Sequence, residues 1–258
     1  MKINILTLFP EMFDSLLSNS IIKRAISKGV VSFNIVNIRD YTKDKYGRVD
    51  SAPIGGGAGL IMKCQPILDA LKNTKTGNEK VILLSARGKT FNQEKAVELA
   101  NDNKDLIFIC GHYEGVDERV NDYVDELISI GDFILTGGEL PAMLISDAVV
   151  RLLDGAINKE SIKEESFNNN LLEYPQYTEP YDYNGEKVPD ILYSGNHEAI
   201  FKYRQKQSLE LTRTIRPDLF EKYNLTKQDK KLLDEIDNKI NEPKWLVDAL
   251  NKSKKFIK

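Results

Sequence analysis

Two kinds of hydrophobic spacing alternate along the first half of the chain. Short aliphatic or β-branched runs at Lys2–Leu8, Ser32–Asn37, Lys80–Leu84, Leu106–Cys110 and Glu126–Ile130 predict strands. Segments with helical spacing lie between them, at Glu11–Leu17 with Ile21–Ser27, Cys64–Leu71, Asn92–Asn101 and Gly115–Asp122. Such alternation implies an α/β fold in which helices cover both faces of a parallel sheet. Leu140–Leu153 is a further helix, with Pro141 near its first turn, and is too apolar to face solvent. It is expected in a core or an interface.

The pattern changes after Gly155. Asn158–Asn170 is polar and without sustained period, the profile of a connector. Glu173–Asp190 holds Pro175, Pro180 and Pro189 and is expected to be extended. Helical spacing returns at His197–Glu210, Lys227–Asn241 and Trp245–Asn251, giving a small helical C-terminal domain. The expected divisions are 1–158, a connector over 159–175, and 176–258.

Charge adds little globally: 36 Lys and Arg against 39 Asp and Glu leave −3, so no overall basic field holds a polyanion. Locally the balance is split. Residues 161–198 carry two Lys against eight acidic side chains, whereas Lys202, Arg204, Lys206, Arg213 and Arg216 have only Glu210 among them. That basic run reads either as a solvated helix face or as a phosphate-contacting surface. Cys64 and Cys110, without CxxC spacing, suit a reducing compartment such as the cytoplasm. The start carries no secretory pattern, its apolar run being broken by Pro10 and Glu11, and no stretch approaches the roughly 18 apolar residues that span a bilayer.

Two glycine motifs fail as nucleotide loops. Gly88-Lys89-Thr90 follows a strand, but Leu83 stands where a phosphate-binding loop needs its first glycine. Gly55-Gly56-Gly57-Ala58-Gly59 breaks the dinucleotide fingerprint at Leu60 and follows Pro53 in a turn rather than a strand. The glycines after three successive strands are more telling: Ser85-Ala86-Arg87-Gly88, Gly111-His112-Tyr113-Glu114-Gly115 and Ser129-Ile130-Gly131-Asp132, with Gly137-Gly138 beyond. Ligands of open α/β sheets sit past the carboxyl ends of strands, so these loops suggest a cofactor site contacted by backbone.

Four longer motifs carry a family resemblance. They are Leu8-Phe9-Pro10-Glu11-Met12-Phe13; Gly111 to Arg119 (GHYEGVDER); Ser129 to Met143 (SIGDFILTGGELPAM); and Leu172 to Thr178 (LEYPQYT), followed by Ser194-Gly195-Asn196-His197. In this order they resemble the bacterial tRNA (guanine-N1)-methyltransferases of the SPOUT superfamily, from about residue 3 to Asp218. The resemblance implies a SPOUT domain with a deep trefoil knot, S-adenosylmethionine in the knot and a homodimer with active sites at the subunit interface. It further implies a C-terminal domain gripping tRNA, methylation of N1 of guanosine 37, and dependence on magnesium whose ligands it leaves unknown.

Carried over residue by residue, it assigns the cofactor to Leu84, Ser85, Gly111, Tyr113, Glu114, Gly115, Ser129, Ile130, Gly131, Asp132, Phe133, Ile134, Leu135, Gly137, Gly138 and Pro141. Tyr113 and Glu114 flank the methionine part. Contacts to tRNA fall to Asp50, Gly55, Gly56, Gly57, Ser194 and His197, joined by Arg204 and Lys206 of the basic run. Methylating guanine N1 requires a base for its proton and a donor for the charge developing on O6. Arg151 matches the family's donor, although an arginine ending a helix also complements the dipole. Glu165, before Ser166-Phe167, stands where the family has its aspartate base, and Glu164 is its neighbour. Further departures are Ser51, Leu83, Ala86, Asn169-Asn170 and Glu179. Glu165 and Glu179 also motivate a second reading, a relative that binds tRNA or cofactor with weakened catalysis.

Overall fold

The apolar runs of the central strands are buried throughout, over Ile3–Leu8, Val81–Leu84 and Leu106–Cys110, while the edge run Ser32–Asn37 is only half-buried. In chain order the computed structural model, which describes residues 1–158, 165–167 and 169–253, places β1 (Lys2–Thr7), β2 (Ser32–Asn37), β3 (Asp50–Ser51), β4 (Ile61–Met62), β5 (Glu79–Thr90), β6 (Asp105–Cys110) and β7 (Glu126–Ser129). Five of these form a parallel sheet of order β2-β1-β6-β5-β7, and β3 and β4 pair as a separate antiparallel hairpin. Side chains alternate between two cores. Ile3, Ile5, Ile82, Leu84, Phe108 and Cys110 face one cluster, and Leu6, Val81, Leu83, Ile107 and Ile109 face the other. Burial on both faces explains why the strands read as continuous apolar runs.

Four helices lie between the strands, α1 (Asp14–Ser18), α2 (Ser20–Ser27), α3 (Cys64–Thr74) and α4 (Gln93–Asn101), and α5 (Glu139–Val150) follows the last strand of the sheet. Three expectations are corrected. Glu11–Leu17 is broken into a 3-10 turn, Pro10–Phe13, and the short α1, and Gly115–Asp122 is no α-helix but a 3-10 helix over Glu118–Tyr123, started by the Asp117 side chain accepting from Arg119 N–H at 3.0 Å. Leu140–Leu153 is helical only as α5. Of its apolar residues Ala142, Ile145, Val149 and Val150 are fully buried in the unit's own core, but Leu140 and Leu144, one turn apart, are half exposed.

Strand β5 runs past its expected end at Leu84 by an excursion. Leu84 and Lys89 both align with Ile128 of β7, so Ser85–Gly88 leave the sheet and return. Gly88 is held where the loop comes back: a Cβ there would stand 2.5 Å from the Ile128 nitrogen.

Contacts divide the chain into two compact units, Met1–Lys159 and Glu160–Lys258. In the second, the segment expected to be extended contains the hairpin β8 (Asp182–Tyr183) and β9 (Glu186–Lys187), then a 3-10 turn, Asp190–Tyr193. Four helices follow: α6 (His197–Ile215), α7 (Pro217–Phe220), α8 (Lys227–Asp237) and α9 (Lys244–Ser253). Asn196 caps α6 by accepting from Ala199 N–H, and Thr226 with Asp229 forms a reciprocal capping box on α8. Burial alone raises the Asp229 carboxyl, but hydrogen bonds from Thr226, Gln205 and Tyr223 outweigh it and hold it low. Leu209, Leu232 and Leu233 form the small core beside it. No helix among the described residues is long and apolar enough to cross a membrane.

Candidate functional site

The carboxyl ends of β5, β6 and β7 open into one cleft of about 560 Å³. Its walls are the Ser85–Gly88 excursion, the loop after β6, and the long loop between β7 and α5. Every residue assigned to the cofactor lines it except Asp132. The floor is backbone because two glycine-bearing segments cross in contact. Gly138 N–H donates to Gly111 O at 2.8 Å, His112 and Gly137 form an antiparallel bridge, and a Cβ on Gly138 would stand 2.7 Å from Cys110 Cα. Glycine is required at 138 by space rather than by backbone angle.

The crossing also organises the buried polar groups. Glu139, 2% exposed, accepts a hydrogen bond from Thr7 Oγ1 at 2.8 Å, and its other oxygen lies 4.0 Å from His112 Nδ1. The imidazole packs against the Phe9 and Tyr113 rings, each with centroids 4.9 Å away. Burial, helped by the Glu139 charge, pushes the Cys110 thiol well up, so this cysteine is an inert part of the core.

At the mouth, Arg87 donates to Glu118 at 2.7 Å, joining the excursion to the 3-10 helix and holding the Glu118 carboxyl low. Both side chains are well exposed, so the pair shapes the rim more than it stabilises the fold. Tyr113 is raised by burial and then by the Asp50 carboxylate beside it, with Arg39 opposing. Asp50 thus belongs to the same rim. The β3–β4 hairpin docks there through Glu114 N–H to Leu60 O at 3.0 Å and Met62 N–H to Gly115 O at 3.0 Å. Gly55, Gly56 and Gly57 form its exposed tip, each with positive φ.

Arg151 is the residue that ends α5, consistent with both of its readings. In the second unit, Glu165 directly precedes two residues bonded to 171–173: Ser166 Oγ accepts from Glu173 N–H and Phe167 N–H donates to Leu171 O, both at 2.9 Å. Glu164 lies outside the described residues. Ser194 and His197 stand before and at the start of α6, with His197 exposed. The basic run is less open than its spacing implies. Lys206 reaches Glu235 at 3.2 Å with its side chain 13% exposed, Arg213 pairs with Asp237 and Arg216 with Asp218, while Arg204 lies 4.5 Å over the Tyr174 ring.

The model for tRNA (guanine-1)-methyltransferase TrmD matches residues 1–222. The chain belongs to the TrmD family. A tRNA (guanine-N(1)-)-methyltransferase of Clostridium botulinum (strain Langeland / NCTC 10281 / Type F) is 54% identical over 242 residues, which span 93% of this chain and all of the relative. Another, of Clostridium beijerinckii (strain ATCC 51743 / NCIMB 8052), is 55% identical over 241 residues, with 93% of this chain and all of the relative covered. As a methyltransferase family, TrmD implies use of S-adenosylmethionine. Family reasoning from the sequence left His112, Arg87, Glu118, Val116, Ile128 and Thr136 unassigned, though all line the cleft with Leu83 and Ala86. Their signal lay in position: each sits in or next to one of the glycine-bearing stretches that follow β6 and β7 or interrupt β5.

Gly111 offers a test of the backbone floor. A Cβ there would meet only Val116 Cγ1 at 3.4 Å and Leu84 O at 3.8 Å, and its φ is not positive. Gly111→Ala is expected to keep the native melting temperature and to weaken S-adenosylmethionine binding by roughly tenfold or more, since one methyl forced into a filled site costs about 1–3 kcal/mol. Calorimetric titration reads the affinity and a thermal melt the stability.

Proposed function

We propose that this protein methylates N1 of guanosine 37 in tRNA, drawing the methyl group from S-adenosylmethionine, and that it works in the cytoplasm. The observation carrying the reading is the backbone-floored cleft at three strand ends in a chain of the TrmD family. When bound, the cofactor supplies a methyl group on a positively charged sulfur. The chain's part is to hold it: backbone at Leu84, Ser85, Gly111, Ile130, Gly131, Phe133, Leu135, Gly137 and Gly138 encloses the adenosine, and Tyr113 and Glu114 flank the methionine portion.

Arg151 donates to guanine O6, where negative charge develops as N1 becomes nucleophilic. Glu165 takes the N1 proton. A glutamate retains the basicity of the family aspartate, with ordinary values of about 4.3 and 3.9, and moves its oxygens outward by one methylene. Residues 176–258 form the tRNA-gripping domain, with Ser194, His197, Arg204 and Lys206 as its RNA contacts; Asp50 and the Gly55–Gly57 tip are the RNA contacts of the first unit. The contact of Gly138 with Gly111 and the Ser85–Gly88 excursion support a trefoil knot threaded through these loops. For magnesium, no group of three or more His, Cys, Asp or Glu among the described residues is arranged to hold an ion, so no step is assigned to one.

Glu165→Gln keeps the size and hydrogen bonding of the side chain but cannot accept the proton. Single-turnover transfer of tritiated methyl to unmodified tRNA with G at positions 36 and 37 is expected to fall by about 10²–10⁴-fold, while cofactor affinity is retained. A native rate in this variant assigns the proton to another group. Absence of transfer by the native protein, with tRNA and cofactor still bound, would favour the reading of a binding relative.

The active sites lie at the interface of a homodimer. Leu140 and Leu144 are half exposed on α5, and Phe9, Met12 and Leu140 line an apolar recess of about 300 Å³ beside them. Light scattering at micromolar concentration is expected to give twice the 29.3 kDa chain mass. Leu140→Glu with Leu144→Glu is expected to give monomers without transferase activity; an active monomer would overturn the shared site.

A further inference from the structure

The surface loop leading into β3 is unusually well tied for a loop. Asp44 is its hub, with Oδ1 accepting from the N–H groups of Tyr46 at 2.9 Å and Arg48 at 3.2 Å, and Oδ2 accepting from the Arg48 guanidinium at 2.9 Å. Gly47 N–H closes the turn on Asp44 O at 3.0 Å with φ +71°, and Arg39 donates to Gly47 O at 3.0 Å. Thr42 Oγ1 fixes the far side on Arg48 O at 2.8 Å. An aspartate bonded to backbone two residues on is a common turn device. Here it holds one large side chain out into solvent.

That side chain is Tyr46, 70% exposed. The Lys45 ammonium lies 4.7 Å and the Arg48 guanidinium carbon 5.2 Å from its ring centroid. Lys45 has no acidic partner among the described residues. A single exposed aromatic residue is ordinary on a protein surface. A rigidly presented ring carrying two cations is a recognition element for a group with both a π-face and a negative charge.

The turn is also fixed relative to the cleft. From Arg48 the chain passes through Val49, which is fully buried and whose carbonyl accepts from Lys63 N–H at 2.8 Å, into β3 beside Tyr113. The paired β4 is bonded to the loop after β6 through Met62, which donates to Gly115 O and accepts from Asp117 N–H at 2.9 Å. Tyr46 and the cleft therefore belong to one continuous hydrogen-bonded assembly.

We infer that Tyr46 is a stacking platform for an unpaired base of the tRNA substrate, with Lys45 turning to an adjoining phosphate while Arg48 stays on Asp44 and keeps the turn in place. The inference rests on the tRNA reading above and adds to it a residue that the resemblance does not assign. Aromatic stacking of a base is stronger than an exposed cation–π contact, so a base displaces the Lys45 ammonium from the ring towards phosphate. Stacking tolerates any base, and the contact contributes affinity rather than sequence choice.

Tyr46→Ala, Tyr46→Phe and Lys45→Ala in the full-length protein test it, with unmodified tRNA as probe. Because Tyr46 is exposed, a thermal melt is expected to show all three folded. Tyr46→Ala should weaken tRNA binding and raise the KM for tRNA by roughly ten- to hundredfold, the range of base–aromatic stacking, with cofactor affinity unchanged. Tyr46→Phe should stay near native. Lys45→Ala should lower the slope of log affinity against log salt by about 0.7, one phosphate contact to a single strand. Native tRNA affinity and KM in Tyr46→Ala, or a Phe variant as weak as Ala, overturn the platform while leaving the methyltransferase reading intact. A native protein that neither binds nor methylates tRNA overturns both.

Discussion

One close approach governs the first unit: the backbone at Gly137–Gly138 lies directly on the backbone at Cys110–Gly111. It is fixed by the Gly138 to Gly111 hydrogen bond and leaves no room for a side chain at 138. Three consequences follow. The end of β6 becomes the floor of a cleft rather than a loop in solvent. Helix α5 must begin at the next residue, so Glu139 is carried into the interior, where Thr7 from the end of β1 donates to it. A buried carboxyl without a partner would be costly, and this bond ties β1, the crossing and α5 together. The glycine loops also become a surface of amides and carbonyls, which recognise a ligand by shape and hydrogen bonding.

This division of labour bears on how the site tolerates change. Where backbone makes the contacts, the departures at Leu83 and Ala86 alter the lining without removing a donor or acceptor. The proposed chemistry instead falls on one side chain of each unit, Arg151 at the end of α5 and Glu165 just before the Ser166 and Phe167 that are bonded to residues 171–173. There the identity of a group matters, and Glu165 keeps the carboxylate of the family aspartate while moving it outward by one methylene.

The sheet was legible because its strands are buried on both faces, so that Lys80–Leu84 and Leu106–Cys110 stand out as apolar runs. Less of what surrounds it could be read. The polar residues 85–90 mask the return of β5 to the sheet, which depends on Ile128 serving two partners. Strands of two residues, β3 and β4, carry no period. The 3-10 helix at Glu118–Tyr123 looks helical by spacing yet is set by a side-chain bond from Asp117. In the second unit the basic run seemed to have only Glu210 as counter-charge because Glu235 and Asp237, which engage Lys206 and Arg213, lie more than twenty residues away in sequence. Long-range pairing of this sort has no local signature. Likewise Tyr46 is unremarkable as a letter and gains meaning only from the turn that raises it.

The account rests on the glycine crossing being the floor of the cofactor site. Amide hydrogen exchange with and without S-adenosylmethionine tests that directly. Protection on adding the cofactor is expected to concentrate at residues 83–88, 111–116 and 128–138, with the amides of Gly111, Gly131 and Gly137 among the most slowed, and to leave helices α6 to α9 unchanged. Binding that protects none of these segments, or protects others in their place, would contradict it.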